Sequence, residues 1–394
     1  MESKKLVLFG AGKIGRSFIG QLFSRSGYEV VFIDIDERII SSLNRYMKYR
    51  VLIKSDEGDE TIWVQHVRGI LGNNVDEVIR EIVSADVMAI SVGQKAIPVI
   101  CPTIAKGIEQ RYKANPNLLL DIILAENLRD AAKVVSNELK KYLPKSINLE
   151  KYVGLVETSI GKMVPIMPTS AIEKDPLLVY AEPYNTLILD KRAFKNPIPG
   201  VKGLAPKSNM PAWVDRKSFI HNLGHAAAAY YGNVKCPELI YLHEIMAQQN
   251  VYETTRSTML QASDILMKHY PGEFTSKDLV DHIDDLLRRF SNKALGDTVF
   301  RVGQDLYRKL GPDDRLVGAL KLALKYRMPY DKILYIIVCA LRFKATDEQG
   351  IRSEQDIKFG QETKLGITHI LTEVCGLSAN DFPEIHEQAI NMII

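Results

Sequence analysis

The stretch LVLFGAGKIGRSFIG, residues 6–20, decides how the first half of the chain is read. An apolar run from Leu6 to Phe9 meets glycines at once, and residues 12–26 then carry apolar side chains at helical spacing. Strand, glycine turn and helix follow one another without a gap. Within the turn the glycines stand as Gly10-x-Gly12-x-x-Gly15. In such a turn the first glycine permits a tight bend and the second lets the backbone approach a pyrophosphate. The third lets helix and strand pack closely, and the helix N-terminus offers free N–H groups to phosphate oxygens. Asp34 lies nineteen residues after Gly15, at the end of the next β-rich run. A carboxylate there accepts hydrogen bonds from an adenosine ribose and repels a 2′-phosphate, so the expected cofactor is NAD rather than NADP. The predicted cofactor contacts are Gly10, Ala11, Gly12, Lys13, Ile14, Gly15 and Asp34, with Ser91, Val92 and Gly93 at the end of a later strand. The competing reading is an ordinary strand-turn-helix in which Asp34 or Asp36 caps a helix.

Outward from this turn, strand and helix signals alternate. Strands are expected at 30–35, 87–92, 118–124 and 152–156, and helices at 37–46, 96–112 and 128–142. A hairpin at 51–53 and 62–67, divided by SDEGDE, is inserted in the alternation. Alternation of this kind implies a mostly parallel sheet covered on both faces. The proline-rich stretch 163–211 reads as a crossing between domains, and from Ala212 the pattern is helical. The fold class is therefore α/β: an N-terminal Rossmann-type doubly wound sheet, residues 1–205, followed by an all-helical domain, residues 206–394.

Residues 216–226, RKSFIHNLGHA, put polar groups inside a helix whose next turns read AAAAYY. With about 100° per residue, Phe219, Ile220, Leu223, Ala226, Ala227 and Tyr230 fall between about 180° and 300° from Lys217. Lys217, His221, Asn222 and His225 fall between 0° and about 140°, on the other side. A helix apolar all round is buried, so the polar stripe is expected to face an enclosed cleft rather than bulk water. Two chemistries fit. His221 and His225, four apart, are spaced to share a zinc ion, but no third ligand stands at a suggestive spacing. Alternatively a partly desolvated lysine loses its proton near neutrality and removes the proton of an alcohol. Asn222 then donates to the oxygen as charge develops on it. No metal is expected.

The whole-chain properties narrow the class. The chain has 394 residues and a formal net charge of +3, with 46% hydrophobic and 25% charged residues. Such a charge does not point to nucleic acid or an anionic membrane as partner. The longest late apolar run, 333–341, is too short to span a bilayer. Cys101, Cys236, Cys339 and Cys375 are far apart. A cytoplasmic protein acting on a small molecule is expected; nothing in the sequence fixes the oligomeric state.

The motif Lys217-x4-Asn222-x2-His225, together with GAGKIGRSFIG, resembles the polyol-specific long-chain dehydrogenase (mannitol dehydrogenase) family. The segments AENL (125–128), AEPY (181–184) and RVGQDLYRKLGPDDRL (301–316) support the likeness. The resemblance implies a metal-independent NAD enzyme that interconverts a polyol and a ketose. It implies Lys217 as general base, Asn127 and Asn222 as holders of the reacting oxygen, His225 as a substrate-orienting group, and Arg301 and Lys309 as contacts of the sugar chain. Gly161-Lys162 stands where the family commonly has an Asp-Arg pair, which bears on the substrate. Arg301, Arg308, Lys309 and Arg315, with Lys162 and Arg216, suggest an anionic one: a hexitol phosphate, mannitol 1-phosphate and fructose 6-phosphate first. A free-polyol dehydrogenase, a reductase of hexuronate-derived keto acids and a non-catalytic NAD-sensing protein remain the alternatives.

Overall fold

The computed structural model describes residues 3–393. They form two compact units, Met1–Val214 and Asp215–Ile394, where the sequence suggested a boundary at 205/206. The division falls inside a continuous helical run that starts at Met210 and continues to Lys235.

The first unit is built on β1 (Lys5–Phe9), β2 (Glu29–Asp34), β3 (Lys48–Ile53), β4 (Glu60–Gln65), β5 (Val67–Leu71) and β6 (Val87–Ile90). It continues through β7 (Leu120–Leu124), β8 (Val153–Ser159), β9 (Val179–Ala181), β10 (Leu187–Asp190) and β11 (Leu204–Lys207). The main sheet runs β11-β10-β8-β7-β6-β1-β2-β5. The six strands from β5 to β8 are parallel, and β10 turns antiparallel to β8. In sequence order those six read 3-2-1-4-5-6, the doubly wound order, with its switch point between β1 and β6. The run Leu6 to Phe9 is apolar throughout because both faces of β1 are covered. Leu6 and Leu8 join one core cluster with Val30 and Phe32, while Val7 and Phe9 join the other with Val31 and Ile33.

A second sheet, β4-β3-β9, contains the expected hairpin, but its second arm ends at Gln65. His66 takes a left-handed conformation (φ 55°) and turns the chain, so that Val67–Leu71 leaves the hairpin and pairs with β2 at the edge of the main sheet. This strand and the helix Val75–Ser84 escape the sequence reading, because VRGIL carries an arginine and a glycine in a five-residue run. Gly69 packs closely there: a Cβ would come within 2.7 Å of Ile40 Cδ1 and push the end of that side chain aside.

The second unit is largely helical. The helix Leu223–Lys235 is surrounded by Leu242–Met246, Gln249–His269, Val299–Gly303 and Asp331–Ala340, which explains why AAAAYY is apolar on every side. The run expected at 239–270 is two helices, Leu242–Met246 and Gln249–His269.

Candidate functional site

In the first unit the candidate cofactor residues gather at the carboxyl ends of the parallel strands, beside the switch point, where open α/β sheets bind ligands. Gly10 follows β1 with φ +100°, and a Cβ there would lie 2.1 Å from the carbonyl oxygen of Ser91, which follows β6. A Cβ at Gly15 would lie 2.0 Å from the Gly10 carbonyl oxygen. Around Gly12, in contrast, nothing lies within 4 Å, and Gly12 and Lys13 are exposed. The turn is tight on its inner side and open at its middle, the shape a pyrophosphate needs. Ala11 is buried and Ile14 half-buried.

The Asp34 carboxylate accepts from Ala11 N at 2.6 Å, Ile35 N at 2.7 Å and Asp36 N at 3.1 Å. The helix cap is Asp36, which accepts from Arg38 N and Ile39 N. A carboxylate has about four acceptor positions. Asp34 therefore locks the glycine turn and keeps capacity for one ribose hydroxyl. Val92 N and Gly93 N both donate to the buried carboxylate of Glu126, at 2.7 and 2.9 Å. Their amide hydrogens are thus already taken, which leaves the two carbonyls and the Val92 side chain to face a cofactor. Asn127 follows Glu126 directly and is exposed beyond the end of β7.

In the second unit the decisive local feature is a π turn. Residues Lys217–Asn222 are π-helical, and Leu223 N donates to Ser218 O, five residues back. A uniform angle of about 100° per residue does not hold here. It puts Lys217 and Asn222 about 140° apart, whereas i→i+5 bonding brings residues five apart nearly into line. Lys217 and Asn222 are five apart, and His225 follows one α-turn later. The polar stripe is thereby narrowed to one face. His221 is buried, tilted against Phe290 with ring centroids 5.8 Å apart. His225 stacks flat on the same ring at 4.7 Å and an interplanar angle of 9°.

Burial, reinforced by the guanidinium groups of Arg315 and Arg308 and opposed by Asp314, pushes Lys217 down to about 8. Lys309 is pushed down to about 7, by burial and then by Arg315 and Arg308. His221 and His225 lie well below the ordinary histidine value, chiefly through burial, so both rings are neutral at pH 7. Among the described residues no group of three or more His, Cys, Asp or Glu side chains is gathered to hold a metal ion.

The basic residues are less available than their spacing suggests. Lys309 Nζ donates to Val302 O at 2.6 Å and to Gln304 O. Arg301 pairs with the buried Asp297, Arg308 with Asp305 and Asp314, and Arg315 with Asp314. Lys162, expected beside them, is buried in the first unit, where its Nζ donates to Glu182 O, Tyr184 O and Asn185 Oδ1 at 3.1, 2.7 and 3.1 Å. It serves that loop. Asp297, Asp305 and Asp314, acids one to six residues from these cations, hold them, which the spacing of the cations alone does not reveal. Arg315, read as one cation in a row, is instead the charge with most influence on Lys217 after burial itself.

No helix among the described residues is long and apolar enough to cross a membrane. Of the solved structures similar to this chain, D-sorbitol dehydrogenase in substrate-free form matches with a TM-score of 0.80 at 15% identity, over 98% of this chain and 91% of that one. The Pseudomonas fluorescens mannitol 2-dehydrogenase ternary complex with NAD and D-mannitol matches with a TM-score of 0.70 at 14% identity, over 99% and 92%. At these identities the likeness is one of fold. Residues 4–203 match the mannitol dehydrogenase Rossmann domain and residues 209–375 the mannitol dehydrogenase C-terminal domain, so the chain belongs to the mannitol dehydrogenase family.

Proposed function

We propose that the protein is an NAD(H)-dependent polyol dehydrogenase with Lys217 as general base. One observation carries this reading: a half-buried lysine pushed down to about 8 sits on a π turn that aligns it with Asn222, with neutral His225 one turn on. In the oxidation direction neutral Lys217 takes the proton of the substrate hydroxyl, and Asn222 and Asn127 are assigned to donate N–H groups to the oxygen as it becomes negative. The nicotinamide supplies the acceptor for the hydride that leaves the carbinol carbon, which leaves a ketone. In reduction the Lys217 ammonium returns the proton. The open middle of the glycine turn at Gly12 and the remaining acceptor capacity of Asp34 fit a dinucleotide with a free ribose diol.

For the substrate, a hexitol phosphate, with mannitol 1-phosphate and fructose 6-phosphate as the pair, is the first reading. It rests on the family likeness and on Lys217, Lys309 and Arg315 as neighbouring basic groups, with Arg301 and Lys309 assigned to the sugar chain. A free hexitol is the second reading, favoured by the carboxylate on each of Arg301, Arg308 and Arg315. NADH oxidation with fructose 6-phosphate and with fructose separates them. The phosphate reading requires kcat/KM to favour the phosphate by at least about 100-fold, since charge-assisted contacts contribute ~1.5–3 kcal/mol each. That advantage must shrink as salt rises. Equal use of both sugars sinks it, and reduction of a keto-hexonate in place of either sinks the polyol reading too.

A further inference from the structure

Resting on the polyol reading and its assignment of Lys309 to the sugar chain, we infer that Asp356 is a positioning residue for substrate binding: its buried carboxylate holds the bend between the helices Val299–Gly303 and Leu306–Lys309, and through that bend it sets where Lys309 stands. The two helices are joined by Gln304 and Asp305 alone. Asp305 is left-handed there (φ 72°, ψ 52°), a conformation that residues with a Cβ seldom adopt and that persists only where the surroundings impose it. Five consecutive main-chain groups of the bend are each taken by a side chain. Lys309 Nζ donates to Val302 O at 2.6 Å and to Gln304 O, and the Tyr230 hydroxyl donates to Gly303 O at 3.0 Å. The Asp356 carboxylate accepts from Asp305 N at 3.1 Å and from Leu306 N at 3.0 Å. A cation thus meets the carbonyls that end the first helix, and an anion meets the N–H groups that begin the second.

Asp356 comes from the distant helix Glu354–Glu362, and it is itself fixed. Its N–H donates to Ser353 Oγ at 3.2 Å, and its carbonyl accepts from Arg352 Nη2 at 3.1 Å. The same face of that helix grips Leu306–Lys309 twice more. Phe359 meets the Tyr307 ring edge-on at 5.4 Å, and Glu362 accepts from the Tyr307 hydroxyl at 2.6 Å. Asp356 alone of the three reaches the N–H groups of the bend. Tyr230 ties the other side of the bend to the helix Leu223–Lys235, which continues directly from the π turn of Lys217. An ammonium has three donors. Two of those on Lys309 are spent inside the bend, so one is left for a substrate hydroxyl, and the bend fixes its direction. Without the Asp356 charge two N–H groups lose their strong acceptor, the left-handed turn relaxes and Lys309 shifts with it. Lys217 stands on its own π turn and keeps its place, so the effect falls on substrate binding rather than on proton transfer.

The test measures reduction of fructose and fructose 6-phosphate by NADH in wild type, Asp356→Asn, Lys309→Gln and the double variant. Asn keeps the shape and one acceptor but loses the charge. On the ketose that wild type uses, Asp356→Asn should raise KM by about tenfold, the usual worth of a charge-assisted hydrogen bond, with kcat changed by less than about threefold. NADH binding, followed by fluorescence titration, should not change. Lys309→Gln should raise KM as well, and adding Asp356→Asn to it should cost less than about threefold more, because effects that act through one group do not add. A full penalty that persists without Lys309, or a kcat that falls as far as KM rises, would show a general structural role; an unchanged KM would show none. Each of these overturns the inference. If Asp356→Asn does not fold, Tyr307→Phe, which frees the same short helix from Glu362, carries the test and must raise KM only while Lys309 is present. Failure of wild type on every ketose overturns the polyol reading itself, and this inference with it.

Discussion

Each unit contains a π turn, and the two are used in opposite ways. In the first unit Gly15–Gly20 is buried at every residue. Its widened turn is filled by packing: the Tyr49 hydroxyl donates to Arg16 O at 2.7 Å, and a Cβ at Gly20 would lie 2.6 Å from Phe32 Cζ and 2.8 Å from the Tyr49 oxygen. In the second unit Lys217–Asn222 buries Ser218, Phe219, Ile220 and His221 but leaves Lys217 and Asn222 half-buried. There the extra residue per turn aligns polar side chains. The same backbone irregularity thus serves close packing where small residues meet aromatic rings, and positioning where it carries a base and a donor.

The comparison makes Lys217 a residue of function and Gly20 one of stability. Lys217→Ala should lower kcat for polyol oxidation by at least about 100-fold, the worth of a positioned base. NADH binding, followed by fluorescence titration, should change little. Near-normal turnover would remove Lys217 from the role. Gly20→Ala should do the converse, because the added methyl overpacks the first turn and costs about 1–3 kcal/mol. Denaturant unfolding should show a lower midpoint with kcat nearly preserved. A variant as stable as wild type would mean that the first turn is not filled as described.

Two smaller effects sharpen the contrast. Asp34 serves the first unit's turn and its assigned ribose together. Asp34→Asn keeps an acceptor but loses the charge, so the preference for NAD over NADP should narrow by about tenfold, ~1.4 kcal/mol. A wild-type enzyme that already uses NADP equally well contradicts the assignment. Lys217 must be neutral to accept a proton, so polyol oxidation should rise as pH passes about 8, and ketose reduction should fall over the same range. Arg315 contributes to that depression, so Arg315→Gln should move the midpoint upward by at least about half a unit, ~0.7 kcal/mol. A midpoint that stays or moves down would show that the Arg315 charge does not reach the base.

The first unit was the more legible of the two. Its glycines act through the backbone of neighbouring residues, and a doubly wound sheet announces itself through apolar runs such as Leu6 to Phe9. What escapes it there is the helix Val75–Ser84 and, before it, Val67–Leu71, a short edge strand whose pairing is decided by a left-handed turn at His66. Asp34 and Asp36 were both plausible caps from sequence, and only the hydrogen bonds assign the cap to Asp36 and the glycine turn to Asp34.

By itself the sequence determined the alternation of strand and helix in the first unit, the α/β class and the residue types on the helix from Lys217 to His225, because periodicity and glycine spacing are local properties of the chain. The tertiary structure alone decided the rest. A π turn interrupts the regular hydrogen-bond ladder at Lys217–Asn222, so no wheel drawn with a constant angle anticipates the alignment of Lys217 with Asn222. The partners of the cations are equally out of reach of spacing. Whether Arg301 faces an anion or a buried Asp297, and whether Lys162 reaches outward or turns in to three oxygens, depends on which groups share one low-dielectric environment, and folding brings those together from distant parts of the chain.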